Sequence, residues 1–163
     1  MINDTTTENP FWQFTIKLWQ HIEIRQILLE LQDSRGLNIN LLLLMLWLAK
    51  HNILVSEEQL LLLRAITEPL DDEILQPLRQ LRKALKTFPG IPDELYQSAQ
   101  HLELALEKQH IHDLYLASQQ FLPTENATSI PICNLSLYAS ESGDGIIPLL
   151  TELSLQVAQA CTT

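Results

Sequence analysis

Leu41-Leu42-Leu43-Leu44-Met45-Leu46-Trp47-Leu48-Ala49 is the stretch that decides the fold. Nine apolar residues in a row leave no polar face, and a helix that is apolar all round is a buried one. The run falls short of the roughly 20 residues that a bilayer-spanning helix needs. The reading is a central helix, about 40–51, wrapped on every side by other helices.

The surrounding composition agrees. With 163 residues there is enough chain for one domain with a proper core. Hydrophobic residues make up 46%, which excludes a disordered chain. Leucine dominates, β-branched residues are sparse and there are only four glycines, a mix that favours helix over strand. A net charge of −10 opposes general binding to nucleic acid or to an anionic membrane surface. Cys133 and Cys161 stand far apart with no CxxC pair, which points to a reducing cytoplasm and no disulfide framework. The start of the chain, MINDTTTENP, has neither a basic nor an apolar region of a secretory signal. The sequons at Asn126 and Asn134 therefore read as chance matches.

Outward from the central run, apolar periodicity and breakers divide the chain. Residues 1–8 are polar and read as a loose N-terminus. Asn9-Pro10 starts a helix over about 10–20, and a second follows over about 22–35, stopped at Gly36. Ser56-x-x-Gln59 is a capping box, opening a helix over about 57–68 that Pro69 closes. Leu70, Ile74, Leu78, Leu81 and Leu85 give the next helix, about 70–87, an inner stripe, with Pro77 as a kink or a new first turn. Phe88-Pro89-Gly90-Ile91-Pro92 breaks the chain before a long helix, about 93–121, whose stripe includes Leu95, Ala99, Leu102 and Leu106. Short helices over about 132–140 and 146–160 complete an all-α, single-domain bundle of five to seven helices. Residues 9–121 form its core, and 122–163 are a variable C-terminal segment whose last helix packs on that core.

Four blocks follow one another in an order that resembles a known family: Asn9-Pro10-Phe11-Trp12-Gln13-Phe14; Leu31-Gln32-Asp33 with Gly36-Leu37-Asn38-Ile39-Asn40-Leu41-Leu42-Leu43; Leu46-Trp47-Leu48-Ala49; and Pro77-Leu78-Arg79-x-Leu81-Arg82-Lys83-x-Leu85-Lys86. Across residues 9–110 the chain is similar to the proteobacterial proteins of roughly 160 residues grouped as domain of unknown function 2390. The resemblance implies a small, helical, cytoplasmic bacterial protein. It carries over no catalytic residues.

Three constellations are candidates for function. Arg79, Arg82, Lys83 and Lys86 share one helix face and hold four of the chain's ten Lys and Arg residues. In an acidic protein that is a docking face for an acidic partner, a phosphate or RNA. Its plain alternative is a solvated face partly paired with Asp71, Asp72 and Glu73. No aromatic residue interleaves with these cations, which weakens single-strand RNA binding. Gln32, Asp33, Asn38 and Asn40 flank the start of the central helix, where they serve either an anion at the helix N-terminus or capping and helix registry. Glu107 and His110 form one Glu-x-x-His, with Asp113 three residues on. Di-iron bundles need two such motifs, so no metal site is expected. Asp71-Asp72-Glu73 lacks the further aspartate of helical isoprenoid synthases, and no other catalytic motif is present.

The expectation is a non-enzymatic interaction or adaptor protein, without cofactor, that docks an acidic protein through Arg79, Arg82, Lys83 and Lys86. The alternative is a small helical enzyme or ligand-binding protein. Its pocket lies between the central helix and the 93–121 helix, with Gln32, Asp33, Asn40, Glu107, His110 and Asp113 as polar groups. A second alternative is RNA or ribosome association. Oligomeric state is left open.

Overall fold

A computed structural model of the chain describes residues 9–125, 128–143 and 145–162. The stretch 1–8 and the Asn126 sequon lie outside these residues. Helices run over Pro10–Trp19 (α1), Ile22–Arg35 (α2), Ile39–Lys50 (α3), Glu57–Leu70 (α4), Gln76–Thr87 (α5), Asp93–Ser118 (α6), Ile130–Tyr138 (α7) and Ile147–Thr162 (α8). A π-helical segment, Asp71–Leu75, joins α4 to α5 without a break, so eight α-helices make seven helical bodies. No strand occurs among the described residues.

The core is built around α3. Leu42, Leu44 and Met45 have no exposed surface, because α1, α2, α6 and α7 pack against successive faces of this helix. That enclosure is why its sequence carries no polar face. Side chains cap the helix starts as their sequences demand. Asn9 Oδ1 accepts from the Phe11 and Trp12 N–H groups, and Asn38 Oδ1 accepts from those of Asn40 and Leu41. The Ser56–Gln59 capping box forms in both directions. Gly36, at φ 67°, ends α2 in the left-handed region, where a side chain is costly. The tight turn sets the last turn of α2 beside the first turn of α3.

Pro69 does not close a helix. It lies inside the continuous body 57–87, and the expected boundary at 68–70 is absent. The π segment explains how that body tolerates Pro77. A proline has no N–H to donate, and its ring crowds the carbonyl four residues back, here that of Glu73. Over 71–75 the helix widens, and the Gln76 N–H reaches back five residues to the Asp71 carbonyl. The extra residue removes the crowding and rotates everything beyond it by one position.

The expected inner stripes are only half realised. On α5, Leu78 is buried and Leu85 half-buried, while Leu81 and, in the π segment, Ile74 are exposed. On α6, Ala99 is buried, whereas Leu95 and Leu102 are exposed. The reason is that α5 packs mainly on α6 and the π segment, so this pair stands as a two-helix arm. At the other end, α7 lies along α3 and α8 packs on α2 and α7, so the terminal helix does cover the bundle. Asn134, part of the second sequon, is fully buried and holds three hydrogen bonds, which leaves no room for a glycan.

Candidate functional site

One groove collects most of the polar residues that the sequence marks. It has a volume of about 670 Å³ and opens between α1, the α2–α3 turn, α5 and α6. Sites for small organic molecules typically measure roughly 300–1,000 Å³. One wall is apolar, made by Trp12, Ile16 and Trp19 of α1 with Ile39, Leu43, Leu104 and Ile111. The Gly36 turn brings Gln32 and Asp33 against Asn38 and Asn40 to form the polar floor. The third wall is charged: Arg79, Arg82 and Lys83 from α5 face Glu103 and Glu107 from α6.

The α5 arginines do not form an open basic face. Arg79 donates to Glu107 at 2.8 Å and to Asp71 at 3.1 Å, with Glu103 at 3.4 Å. Arg82 is paired with Glu103. Burial opposes the charge on Arg79, but the Glu107 and Asp71 contacts outweigh it and raise its pKa above the ordinary arginine value. On Arg82 the Glu103 hydrogen bond is the main influence, again upward. Both side chains are held mainly by acids of α6, not by the local run 71–73, of which only Asp71 takes part. Lys86 is off the groove, with its ammonium 5.7 Å from the ring centre of Tyr96. Lys83 is exposed and has no ion-pair partner among the described residues.

Behind the floor, a buried chain of hydrogen bonds ties three helices together. Asn40 Nδ2 lies 3.1 Å from His110 Nδ1, and His110 Nε2 lies 3.0 Å from Thr67 Oγ1. Thr67 in turn donates to the Leu63 carbonyl at 2.9 Å. Because the threonine proton is committed there, its oxygen accepts from Nε2–H. That assigns the neutral tautomer with Nδ1 accepting from Asn40. Burial lowers the His110 pKa to about 4, with Arg79 adding to the effect and Asp71 and Asp113 opposing it.

The expected sets therefore merge and thin out. Gln32, Asp33, Asn40, Glu107, Arg79, Arg82 and Lys83 share one groove. His110 and Asp113 are not on its wall. His110 is fully buried behind Asn40, and Asp113 accepts from Gln109 at 2.9 Å instead of holding the histidine. Asn38 is occupied as a cap, which leaves the α3 N-terminus poorly suited to an anion. Among the described residues no group of three or more His, Cys, Asp and Glu is placed to hold a metal ion.

Sequence reasoning missed Glu103, Thr67 and the α1 wall. Glu103 and Glu107 sit four apart, the spacing that lets two acids face Arg79 and Arg82 on an antiparallel neighbour, so that pairing had a signal. Thr67 had none, and nothing in the sequence separates Trp12 and Trp19 from residues of a core-facing helix stripe. No helix of the described residues is long and apolar enough to cross a membrane.

Comparison with curated proteins and with solved structures finds no match. A family profile described as protein of unknown function (DUF2390) matches residues 10–114, spanning α1 to most of α6 and every residue that lines the groove. The chain belongs to that family.

Proposed function

We propose that this protein binds a small amphiphilic molecule with an anionic head, and that the groove between α1, α3, α5 and α6 is its site. The observation that carries the reading is the pairing of Lys83, a cation with no ion-pair partner among the described residues, with an apolar wall built on Trp12 and Trp19 in one volume of ligand size. The apolar body of the ligand lies on the α1 wall, where burial supplies the affinity. Its head reaches Lys83, and the amides of Gln32 and Asn40 fix its orientation by hydrogen bonding. The Arg79 and Arg82 pairs to Glu103 and Glu107 hold that wall in place.

Docking of an acidic protein through the basic face is less well supported. Two of its four cations are already paired within the molecule, and a third lies over Tyr96. RNA association meets the same objection, with the net charge of −10 added to it. A bacterial, cytoplasmic setting fits the two free cysteines and the family resemblance.

Emission from Trp12 and Trp19 tests the reading directly. In a Trp47→Phe background the protein is titrated with decanoate, decanol and decylamine. Decanoate is expected to shift the emission and to bind best, with Lys83→Gln weakening it about tenfold, the worth of one charge-assisted hydrogen bond. Equal response to all three probes, or none to any, overturns it.

A further inference from the structure

The α5–α6 arm carries a second surface, on the side turned away from the groove. Leu81 of α5 and Phe88, the residue that follows α5, lie seven residues apart, and Leu95 and Leu102 seven apart on α6. Their exposures are 52%, 67%, 50% and 53%. Leu81 is two residues from Lys83, and Leu102 two from Leu104, both of which line the groove. Two residues correspond to about 160° around a helix, so the leucines point away from that groove. The spacing is that of a heptad seam. Leu78, Leu81 and Leu85 on α5 with Phe88 at its end, and Leu95, Ala99, Leu102 and Leu106 on α6, alternate by three and four. Of these eight positions, only Leu78, Leu85, Ala99 and Leu106 are more than half covered. Half of each seam waits for a second pair of helices.

We propose that a second copy of this chain supplies that pair, and that two arms close into an antiparallel four-helix bundle with α5 of each copy along α6 of the other. Three features favour a copy of the same chain. The face is free of charge, with exposed Ala84 and Ala105 filling in between the large side chains, so two copies of charge −10 meet where neither presents an acid. The four large side chains leave roughly 450 Å² uncovered, more than half of the ~800 Å² per partner that a standard interface buries, before the alanines and flanking stems are added. The helix charges also set the pairing. α5 holds four cations and no acid, while α6 holds five acids and a single lysine. Placing each α5 between two α6 helices alternates the signs around the bundle and keeps every neighbour antiparallel. The surface is independent of the ligand groove and does not rest on that reading.

Sedimentation equilibrium on the full chain across the micromolar range tests the proposal. The expected mass is twice 18.7 kDa. Leu81→Glu with Leu102→Glu is expected to weaken association about a hundredfold or more with helicity unchanged, since both residues are exposed in the single chain. Leu155→Glu, at an exposed leucine of α8, is expected to leave it intact. For the pairing, Ala84→Cys and Ser98→Cys chains are mixed in a Cys133→Ser, Cys161→Ser background, where a mixed disulfide should form fastest. A monomer throughout the range, or a dimer that survives the double variant, overturns the proposal. Faster crosslinking of Ala84→Cys to itself overturns the α5-on-α6 arrangement.

Discussion

His110 is the residue whose chemistry the fold changes most. Burial puts its pKa at about 4 in the folded chain, against 6.5 for an ordinary histidine. The unfolded chain therefore takes up the proton first as pH falls. The stability that His110 contributes is complete above 6.5, declines between 6.5 and 4, and levels off below. At 1.36 kcal/mol per unit, the loss across that window is roughly 3 kcal/mol. His110→Gln keeps hydrogen-bonding capacity toward Asn40 and Thr67 but cannot titrate. Urea midpoints measured from pH 7 to pH 4 should fall more steeply for the native chain than for this variant; parallel curves would refute the assignment. In the sequence His110 is one polar residue interrupting an apolar stripe, which is enough to single it out. Its partners are 70 and 43 residues away in the chain, so the side chains that satisfy it had no local signature. Arg79 and Arg82 show the same limit. Their charge was legible, but whether they face solvent or an acidic helix depends on how α5 meets α6.

Among the elements, the π segment positions the site. Asp71–Leu75 inserts one residue into an otherwise continuous helix, and a one-residue insertion turns everything after it by about 100°. With that turn, Leu78 faces the arm interior while Arg79 and Arg82 face Glu103 and Glu107. Deleting the exposed Asp72 should convert the segment to plain α-helix and rotate α5 back. Leu78 would then leave its buried place and both arginines would lose their partners. The expected cost is about 3 kcal/mol, in the range for emptying a buried leucine site, together with loss of decanoate binding. Asp72→Ala should change stability by less than about 0.5 kcal/mol, as surface substitutions do. A deletion variant as stable as Asp72→Ala would show that the insertion does not set the register. Pro69 was visible in the sequence as a breaker and Pro77 as a kink or a new first turn, and Pro77 does lie in the first turn of α5. A widened helix that admits a proline needs a view of the backbone. The apolar stripes of α5 and α6 were legible too. What sequence could not say is that this protein covers only half of each.

At the scale of the whole molecule, the bundle depends on residues beyond the part of the chain that its family profile covers. The profile reaches residue 114, yet Leu135, Leu150 and Leu153 are fully buried, α7 lies along α3, and α8 closes over α2. The Leu41–Ala49 run forecast this burial, and the periodicity of the last helix placed it on the core, but α7, the helix that lies along α3, is only nine residues long and leaves a weak periodic signal. Asn134 fastens the two parts. Its side chain donates to the Met45 and Ile53 carbonyls and accepts from the Val55 N–H, tying α7 to α3 and to the segment that leads into α4. Asn134→Ala leaves buried polar groups without partners and should cost roughly 3 kcal/mol in urea unfolding. A chain ended after Thr124 should suffer a different loss. It keeps most of its helices but uncovers one side of α3, whose leucines then have no partner in the molecule. Circular dichroism should remain largely helical for the residues left, unfolding should lose its sharp cooperativity, and the chain should bind the dye ANS, the signature of helices without fixed packing. A truncated chain that unfolds in one sharp transition near the native midpoint would mean that α7 and α8 decorate the bundle. Broad unfolding, restored to a sharp transition when residues 125–163 are added as a separate peptide, would mean that the two parts fold as one unit around α3.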